Sequence, residues 1–489
     1  MDTLIIGAGT GGLFTGALLA RQGVRVTVLE KNAQIGGGLQ NFVRSGERFE
    51  TGMHVAGGFN PGGTLRRICD YLGITDSLDI RETPLIASVT YADTGHTYDL
   101  PAGRRSLEAY LAGRFPDQAV GIGKYLDAVS RLSHEENLFY LEPGMTAHSD
   151  EFFMPADSFI AQYVSNPELQ SVLAFENSLY AGVKGHTPAY LHIMISALFM
   201  EHPCSFGSGS QRLAHALARV IEDAGGQVLT RHQVASVSVA DHMVQYVADT
   251  EGRRFTSDWY VSSIHPRMLL GMFDGRAFSP GYSKRLNEIP DTASAFKVFL
   301  KLKPGALPYP GHPVCISDSA DNVWEEFRTG GWPHTVNCFL ADSGSGWASH
   351  MTVLSLMDFS ETQRWEHTRS GHRGEEYEQW KHERTERVLD LVEKRFPGIR
   401  EKSDDIFAAS PLTFRDWYGT VTAGAYGYFK DCRCLSLSQV PVRTKLGNLL
   451  LTGQNVNMHG IGGVPMTAIE TAQAILGENA VLNDIIQTK

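Results

Sequence analysis

The chain has 489 residues, of which 42% are hydrophobic and 20% are charged, so it is long enough for about two domains and a large buried core. Its formal net charge of −11 at pH 7 argues against a nucleic-acid partner, because phosphates select basic surfaces. The longest apolar stretch, residues 190–200, is too short for a membrane-spanning helix, which needs about 20 residues.

The first residues carry the pattern of a dinucleotide-binding motif. An apolar strand predicted over residues 3–6 is followed directly by the motif residues Gly7, Ala8, Gly9, Gly11 and Gly12. Gly7 permits the tight turn after the strand, Gly9 lets the backbone approach a pyrophosphate, and Gly12 lets the next helix pack against the sheet. That helix, predicted over residues 11–22, presents unpaired N–H groups and a positive dipole end to the phosphates.

The next strand supplies a carboxylate for the ribose. It is predicted over residues 24–29 and ends at Glu30, close to the spacing expected for the acid that accepts the ribose hydroxyls. Lys31 follows, and then a second glycine cluster, formed by Gly36, Gly37, Gly38 and Leu39. A nicotinamide-binding domain does not need this second cluster.

With these motifs the chain resembles the FAD-dependent family of phytoene desaturases, carotenoid isomerases and retinol saturases, in the amine oxidase-like flavoprotein superfamily. Further similar stretches are residues 49–54, 410–413, 424–427 and 451–455. The acid-Thr-Gly-x-His order within the first of them is similar to retinol saturases in particular. The resemblance implies FAD and an α/β fold, in which a Rossmann-like FAD-binding domain of the glutathione reductase or amine oxidase type carries an interleaved α+β substrate domain.

The resemblance also implies that both domains are discontinuous. The FAD-binding domain would comprise residues 1–80, 201–270 and 406–489, and the substrate domain residues 81–200 and 271–405.

Hydrophobic periodicity predicts the remaining elements in chain order. The apolar run at residues 190–200 fits either a buried core helix or a helix that lines a channel for a lipid. The other predicted helices cover about residues 211–224, 375–396 and 465–476. The other predicted strands cover residues 227–229, 234–239, 243–247, 259–261, 292–302 and 449–451. A glycine loop is predicted between the last strand and the last helix.

The resemblance assigns the cofactor contacts. In relatives the residue matching Val234 contacts the adenine through its backbone, Gly453 lies near the pyrophosphate, and residues 463–465 lie near one edge of the flavin. The implied FAD-binding residues are Gly7, Ala8, Gly9, Gly11, Gly12, Glu30, Lys31, Gly36, Gly37, Gly38, Leu39, Met53, His54, Val234, Gly453, Gln454, Asn455, Gly462, Gly463 and Val464.

The chain departs from the family pattern at two of these positions. Gly38 stands where relatives usually carry an arginine that neutralises a phosphate, so that contact must come from elsewhere, with Lys31 and Gln40 as candidates. Asn455 stands where the family generally has an acid, and it keeps an acceptor but loses the charge. No second glycine motif for a nicotinamide donor is visible, which leaves a quinone, oxygen, a carrier or NAD(P)H as the electron partner.

The family branch predicts an FAD-dependent oxidoreductase that acts on carbon–carbon bonds of a lipophilic polyene or isoprenoid-like substrate, with saturation favoured over desaturation. Saturation needs a hydride from reduced flavin and a positioned acid that protonates the second carbon. His54 is the first candidate for that acid or for a contact with the flavin edge, and His459 and Tyr418 follow. A purely structural role is the alternative for each of the three.

Three other functions stay open at this stage. A polyene isomerase would use reduced flavin without net redox change, and a lipid-binding escort protein, resembling the Rab GDP-dissociation inhibitors, would not use flavin at all. Amine oxidation is the third, because Lys297 lies on a predicted strand where amine oxidases can place a lysine. For Lys297 itself, a solvent-facing position on the strand is the expectation.

The spacing of the cysteines bears on metal binding, and the N-terminal sequence bears on the location of the protein in the cell. The six cysteines show no paired Cys-x-x-Cys spacing, so they are interpreted as reduced structural thiols and no metal site is predicted. Because the chain opens on its first strand, without room for a signal peptide, a cytoplasmic location is expected. Peripheral attachment to the inner face of a membrane stays open for an enzyme with a lipid-soluble substrate.

Overall fold

The computed structural model of the protein describes residues 1–144, 147–273, 277–328 and 330–488. The strands of these residues are β1 (Asp2–Ile6), β2 (Arg25–Leu29), β3 (Asn41–Arg44), β4 (Glu47–Glu50), β5 (Ile80–Glu82), β6 (Leu85–Tyr91), β7 (Thr97–Pro101), β8 (Cys204–Phe206), β9 (Gln227–Leu229), β10 (Val234–Ala240), β11 (Met243–Asp249), β12 (Arg254–Phe255), β13 (Trp259–Ser262), β14 (Ser294–Leu302), β15 (Val314–Ser317), β16 (Thr335–Asp342), β17 (Ala348–Met357), β18 (Ser403–Ala409) and β19 (Leu449–Leu451). The helices are α1 (Thr10–Arg21), α2 (Thr64–Leu72), α3 (Arg104–Arg114), α4 (Ala119–Ser133), α5 (Asp150–Phe153), α6 (Ala156–Tyr163), α7 (Pro167–Leu173), α8 (Ala189–Glu201), α9 (Gln211–Asp223), α10 (Pro266–Leu270), α11 (Pro280–Glu288), α12 (Glu375–Glu393), α13 (Pro411–Tyr418), α14 (Leu435–Ser438), α15 (Gly460–Leu476) and α16 (Ala480–Gln487).

A parallel sheet gathers strands from three distant parts of the chain. Its order is β19-β13-β1-β2-β9, and every pair in it is parallel. The middle strand, β1, is buried from Leu4 to Ile6, as expected for a sheet covered on both faces. Helices α1 and α9 come so close that a side chain at Gly16 of α1 would lie 2.8 Å from Ile221 of α9. The carboxyl ends of these strands therefore meet at one edge, where parallel sheets place their ligands.

A second, mostly antiparallel sheet has the order β18-β14-β17-β16-β15-β6-β7 among the described residues. Alternation along its strands divides the side chains between two faces. Phe296, Val298 and Leu300 of β14 pack in one apolar cluster with Trp380 and other side chains of α12. The intervening residues of β14, which include Lys297, lie on the opposite face and point away from α12.

Helix α8 is apolar almost all round. The sequence allows either a buried core helix or a helix that lines a channel, and the structure shows features of both. Its first half is buried in a helical cluster with residues of α4 and α6, and Ile193 is completely buried there. Its second half contributes Ile195, Leu198 and Phe199 to the wall of a cavity. The helix therefore serves as core and as cavity wall at once. No helix in the described ranges is long and apolar enough to cross a membrane.

The last of the predicted helices begins earlier than expected. Helix α15 begins at Gly460, so the residues predicted as a glycine loop form its first turn. A side chain at Gly463 would lie 2.4 Å from Cβ of Met458, and one at Gly462 would lie 2.8 Å from Leu198. These glycines are needed because the first turn of α15 packs closely against Met458 and Leu198. Glycine is common both in such close contacts and in loops, so the sequence alone does not separate the two.

Candidate active site

A cavity of about 420 Å³ lies between the carboxyl edge of the parallel sheet, helix α8 and the second sheet. Seventeen of the predicted FAD-binding residues line it: Gly7, Gly9, Gly11, Glu30, Lys31, Gly37, Gly38, Leu39, Met53, His54, Val234, Gly453, Gln454, Asn455, Gly462, Gly463 and Val464. They come from all three segments that the sequence assigns to cofactor binding. The structure therefore brings together in one cavity residues that lie more than 400 positions apart in the chain.

The three remaining predicted residues, Ala8, Gly12 and Gly36, do not line the cavity but hold its loop in place. A side chain at Gly12 would lie 2.1 Å from the carbonyl oxygen of Gly7, so only glycine fits at this position in the first turn of α1. Gly36 has a φ of 112°, which favours glycine, and its N–H donates to the carbonyl oxygen of Ala8 at 2.7 Å. These residues position the glycine-rich turn.

The carboxylate of Glu30 is buried at the end of β2 and fixes the same turn. One oxygen, Oε2, accepts the N–H of Ala8 at 2.9 Å, and the other, Oε1, accepts the N–H of Asn32 at 2.8 Å. Each carboxylate oxygen has a further acceptor position, so Glu30 can still accept ribose hydroxyls from the cavity that it lines.

The N-terminus of α1 fits a pyrophosphate. Gly9 has an extended backbone, with a φ of −72°, and no side chain caps the helix there. Apart from Gly9 and its two chain neighbours, no atom of the described residues lies within 4 Å of the point that a Cβ at Gly9 would occupy. The first N–H groups of α1 thus face open space at the positive end of the helix dipole, as a diphosphate requires. The residues present therefore fit a flavin dinucleotide.

The space left by the missing arginine at position 38 is bordered by Tyr418. A Cβ on Gly38 would lie 3.5 Å from the Tyr418 hydroxyl. Of the two suggested substitutes, Lys31 lines the cavity and its Nζ donates to the carbonyl oxygen of Asp416 at 3.0 Å. Gln40 instead donates to the carbonyl oxygen of Gln34 at 2.7 Å and lies outside the cavity wall. Of these two residues, Lys31 is therefore the one that borders the space for the cofactor.

The side chain of Asn455 makes a structural hydrogen bond with the backbone of Tyr428. Its Oδ1 accepts the N–H of Tyr428 at 3.0 Å, which ties the loop before β19 to the C-terminal cofactor segment. The amide thus keeps the acceptor function that the sequence suggested.

Lys297 is the main correction to the sequence interpretation. The expectation of a solvent-facing lysine is wrong, because Lys297 is only 1% exposed and lines the cavity. Its Nζ donates to the carbonyl oxygen of Thr51 at 2.7 Å and lies 3.2 Å from Nε2 of His54. Burial lowers the pKa of Lys297 to about 7, although the carboxylate of Glu50 opposes the shift. This ammonium can therefore lose its proton near neutral pH.

His54 is held beside this lysine as a neutral ring. Its imidazole stacks on Phe339, with ring centroids 4.3 Å apart and planes inclined by 9°. Burial lowers the pKa of His54 well below its usual value, and the nearby charges of Lys297 and His350 lower it further. His54 therefore accepts the hydrogen bond from Lys297, while the proton resides on the lysine.

The other two catalytic candidates also line the cavity. His459 lies 3.1 Å from the carbonyl oxygen of Leu179 through Nε2, and burial lowers its pKa to about 4, so it is neutral at pH 7. Burial raises the pKa of Tyr418 to about 12, which makes its hydroxyl a hydrogen-bond donor at neutral pH.

The apolar part of the wall was missed by sequence reasoning, apart from α8. It includes Phe139, Met194, Ile195, Leu198, Phe199, Phe339, Leu354, Leu356 and Phe414. No motif marks these residues, because apolar side chains of these types fill the core of any globular protein. Their presence makes one end of the cavity suited to a long hydrocarbon chain.

A glycine-rich turn at the edge of a parallel sheet, with an apolar cavity beneath a second sheet, is typical of dinucleotide-dependent oxidoreductases. Residues 10–476 match the family model of flavin-containing amine oxidoreductases, and the chain belongs to this family. The predicted family, the FAD cofactor, the α/β fold class and the assignment as an enzyme are thereby confirmed.

Individual relatives cover almost the whole chain. The chain is 25% identical to the all-trans-retinol 13,14-reductase of Rattus norvegicus over 525 residues, spanning 98% of this chain and 86% of that protein. It is 25% identical to a chloroplastic prolycopene isomerase 2 of an Oncidium hybrid cultivar, spanning 87% of this chain and 75% of that protein. The crystal structure of an oxidoreductase from Methanosarcina mazei has the same fold, with a TM-score of 0.68, 16% identity, and coverage of 97% of this chain and 100% of that one.

Proposed function

We propose that the protein is an FAD-dependent oxidoreductase that acts on carbon–carbon bonds of a lipophilic polyene, and that it works in the direction of saturation. The observation that carries this proposal is the buried pair of Lys297 and His54, which sets an ionisable group in a largely apolar wall. The similarity to a retinol reductase and to a prolycopene isomerase supports a polyene as the substrate.

The glycines from Gly7 to Gly12 and the start of α1 would hold the pyrophosphate, Glu30 the ribose, and Lys31 would add a positive charge. Bound FAD would supply the exchange of hydride with a carbon atom of the substrate. The protein itself would supply the proton and the apolar binding site for the substrate. The apolar wall formed by α8 and the second sheet would bind the polyene and exclude water.

Lys297 is the proposed proton donor. Saturation of a double bond needs one proton on carbon, and Nζ of Lys297 carries a proton that burial has made easy to release. His54 orients the ammonium by accepting one hydrogen bond, and the carbonyl oxygen of Thr51 accepts another. One N–H of the ammonium remains for the substrate. His54 is thus a positioning residue in this proposal, and His459 and Tyr418 complete the wall.

The pH dependence of kcat is expected to reveal the direction of the reaction. The pKa of Lys297 is lowered to about 7, so the ammonium is present below that pH and lost above it. If saturation needs the ammonium, kcat falls as the pH rises through about 7, whereas desaturation needs the free amine and its kcat rises instead. Single-turnover rates across this range measure the effect, and a flat profile contradicts the assignment of Lys297.

Isomerisation without net redox change is the second candidate, supported by the similarity to the prolycopene isomerase. Both functions are tested by reducing the holoenzyme anaerobically with dithionite and adding polyenes of defined structure. Reoxidation of the flavin together with a product heavier by two hydrogen atoms supports saturation. A product of unchanged mass supports isomerisation. If no polyene is altered in either redox state, the proposed function is wrong.

The electron partner and the domain division are also proposals. Repeating the reduction with NADH, NADPH, a quinol or a reduced carrier protein in place of dithionite identifies the donor. We retain the discontinuous FAD-binding and substrate domains, but β18 (Ser403–Ala409) belongs to the second sheet, so the last boundary is better placed after residue 409.

A further inference from the structure

Trp417 is a half-exposed tryptophan that borders the cavity. It lies in the last turn of α13, is 51% exposed and lines the cavity wall. Phe414 and Tyr418 of the same helix pack edge to face, with ring centroids 5.6 Å apart, whereas Trp417 has no ring partner in the part of the chain that the structure describes. Single apolar side chains are common on protein surfaces, so exposure alone explains nothing. The position of this indole decides what it can do.

Helix α13 runs beside the cavity and presents three aromatic side chains to it. Phe414, Trp417 and Tyr418 all line the cavity, and their spacing places them on one face of the helix. Nζ of Lys297 lies 5.8 Å from the ring centroid of Phe414. The hydroxyl of Tyr418 borders the space at Gly38, in the second glycine cluster. The helix therefore begins near the proposed reaction centre and ends near the cofactor loops.

The end of α13 is tied to the residues that follow the ribose acid. Nζ of Lys31 donates to the carbonyl oxygen of Asp416 at 3.0 Å, and Nδ2 of Asn32 donates to the carbonyl oxygen of Trp417 at 3.2 Å. The N–H of Asn32 in turn donates to the carboxylate of Glu30 at 2.8 Å. Since Glu30 is the residue suited to the ribose hydroxyls, these contacts place Trp417 beside the adenosine end of the dinucleotide site.

We propose that the indole of Trp417 stacks on the adenine of FAD and is a binding residue for the AMP half of the cofactor. The proposal rests on FAD as the cofactor of the proposed function, and it does not depend on the substrate. Adenine has a π-face on which an aromatic ring can stack, and indole offers a large ring area for this contact. Val234, which the family resemblance assigns to the adenine, and Gln233 line the same cavity.

The role of Trp417 also explains why this side chain is left in contact with solvent. A residue that binds a ligand by stacking must keep its ring accessible, and no packing within the described residues covers this one. The backbone around it is held by the contacts to Lys31 and Asn32, so the ring is positioned in advance. The expected contribution is therefore to affinity for the adenine nucleotide and not to the stability of the protein.

The test measures FAD and ADP binding to the deflavinated full-length protein. FAD is titrated by flavin fluorescence, and ADP, which carries only the adenosine diphosphate half, is measured by its competition with FAD. We expect Trp417→Leu to weaken the binding of both ligands by about tenfold, and Trp417→Phe, which keeps an aromatic ring, to stay within about threefold of the wild type. The control Trp347→Leu removes a tryptophan that is 41% exposed but lies outside the cavity wall, and it should change neither constant.

Circular dichroism and Tm show that each variant is folded. An unchanged FAD dissociation constant in Trp417→Leu, a loss for FAD without one for ADP, or equal losses in Trp417→Leu and Trp417→Phe overturns the proposal. So does a wild-type protein in which ADP does not compete with FAD. The proposed function is tested separately, because no substrate is present. A protein that needs Trp417 for FAD but converts no polyene keeps this inference and loses the proposed function. A protein that converts a polyene but binds FAD equally well without Trp417 does the reverse.

Discussion

Replacing Lys297 with methionine is expected to lower kcat by about 100-fold or more while the flavin stays bound, as for loss of a general acid. Methionine keeps most of the volume of the side chain but can neither hold a proton nor donate to Thr51 and His54. The fold should tolerate the change, since it removes a charge that is only 1% exposed. Steady-state kcat and the visible flavin spectrum are the two measurements.

Lys301→Met provides the matched control. Lys301 lies on the same strand and the same face, four residues further on, but its Nζ donates to the carbonyl oxygen of Ser45 and does not line the cavity. Its replacement should leave kcat close to that of the wild type. Equal losses in both variants would show that charge on β14, and not the proton on Lys297, supports activity.

Gly9→Ala is expected to weaken FAD binding by at least about tenfold without unfolding the protein. Gly9 has an ordinary extended backbone, and no protein atom lies within 4 Å of the added methyl group, so the protein without cofactor can accept it. The methyl group would instead fill the space in front of the first N–H groups of α1. Titration of the deflavinated protein with FAD measures the loss, and circular dichroism measures the fold.

Gly113→Ala is the corresponding control for an added methyl group. Gly113 lies in α3, away from the cavity, and also has no atom within 4 Å of its Cβ position. Alanine in a helix should raise the free energy of unfolding by roughly 0.5–1 kcal/mol and leave FAD binding unchanged. Unimpaired FAD binding by Gly9→Ala would mean that the diphosphate does not approach the backbone at this glycine.

The cofactor half of the site could be predicted because its signals are local. The turn at Gly7, the helix start at Thr10 and the acid at Glu30 lie within one strand-helix-strand unit. Their spacing in the sequence therefore determines how they are arranged in space. The same holds for the backbone requirement at Gly36, whose positive φ only glycine adopts readily.

The substrate half could not be predicted in this way. Whether Lys297 faces solvent or a cavity depends on which face of β14 is covered by residues 51–54, and these are brought there by the packing of the two sheets. Residues 460–464 were predicted as a loop but belong to α15. The prediction was wrong because a glycine that packs closely in a helix cannot be distinguished by sequence from a glycine in a loop.

The order of strands in the parallel sheet has a consequence for how the protein is made. Thr3 pairs with Trp259, and Tyr260 pairs with Leu449, so the sheet is completed only by β19, more than 400 residues after β1. Contacts of such long sequence separation form slowly and late, after the loops between them have closed. The site therefore cannot load its cofactor until β19 has left the ribosome. Until then the N-terminal strand and helix depend on protection from aggregation by other means.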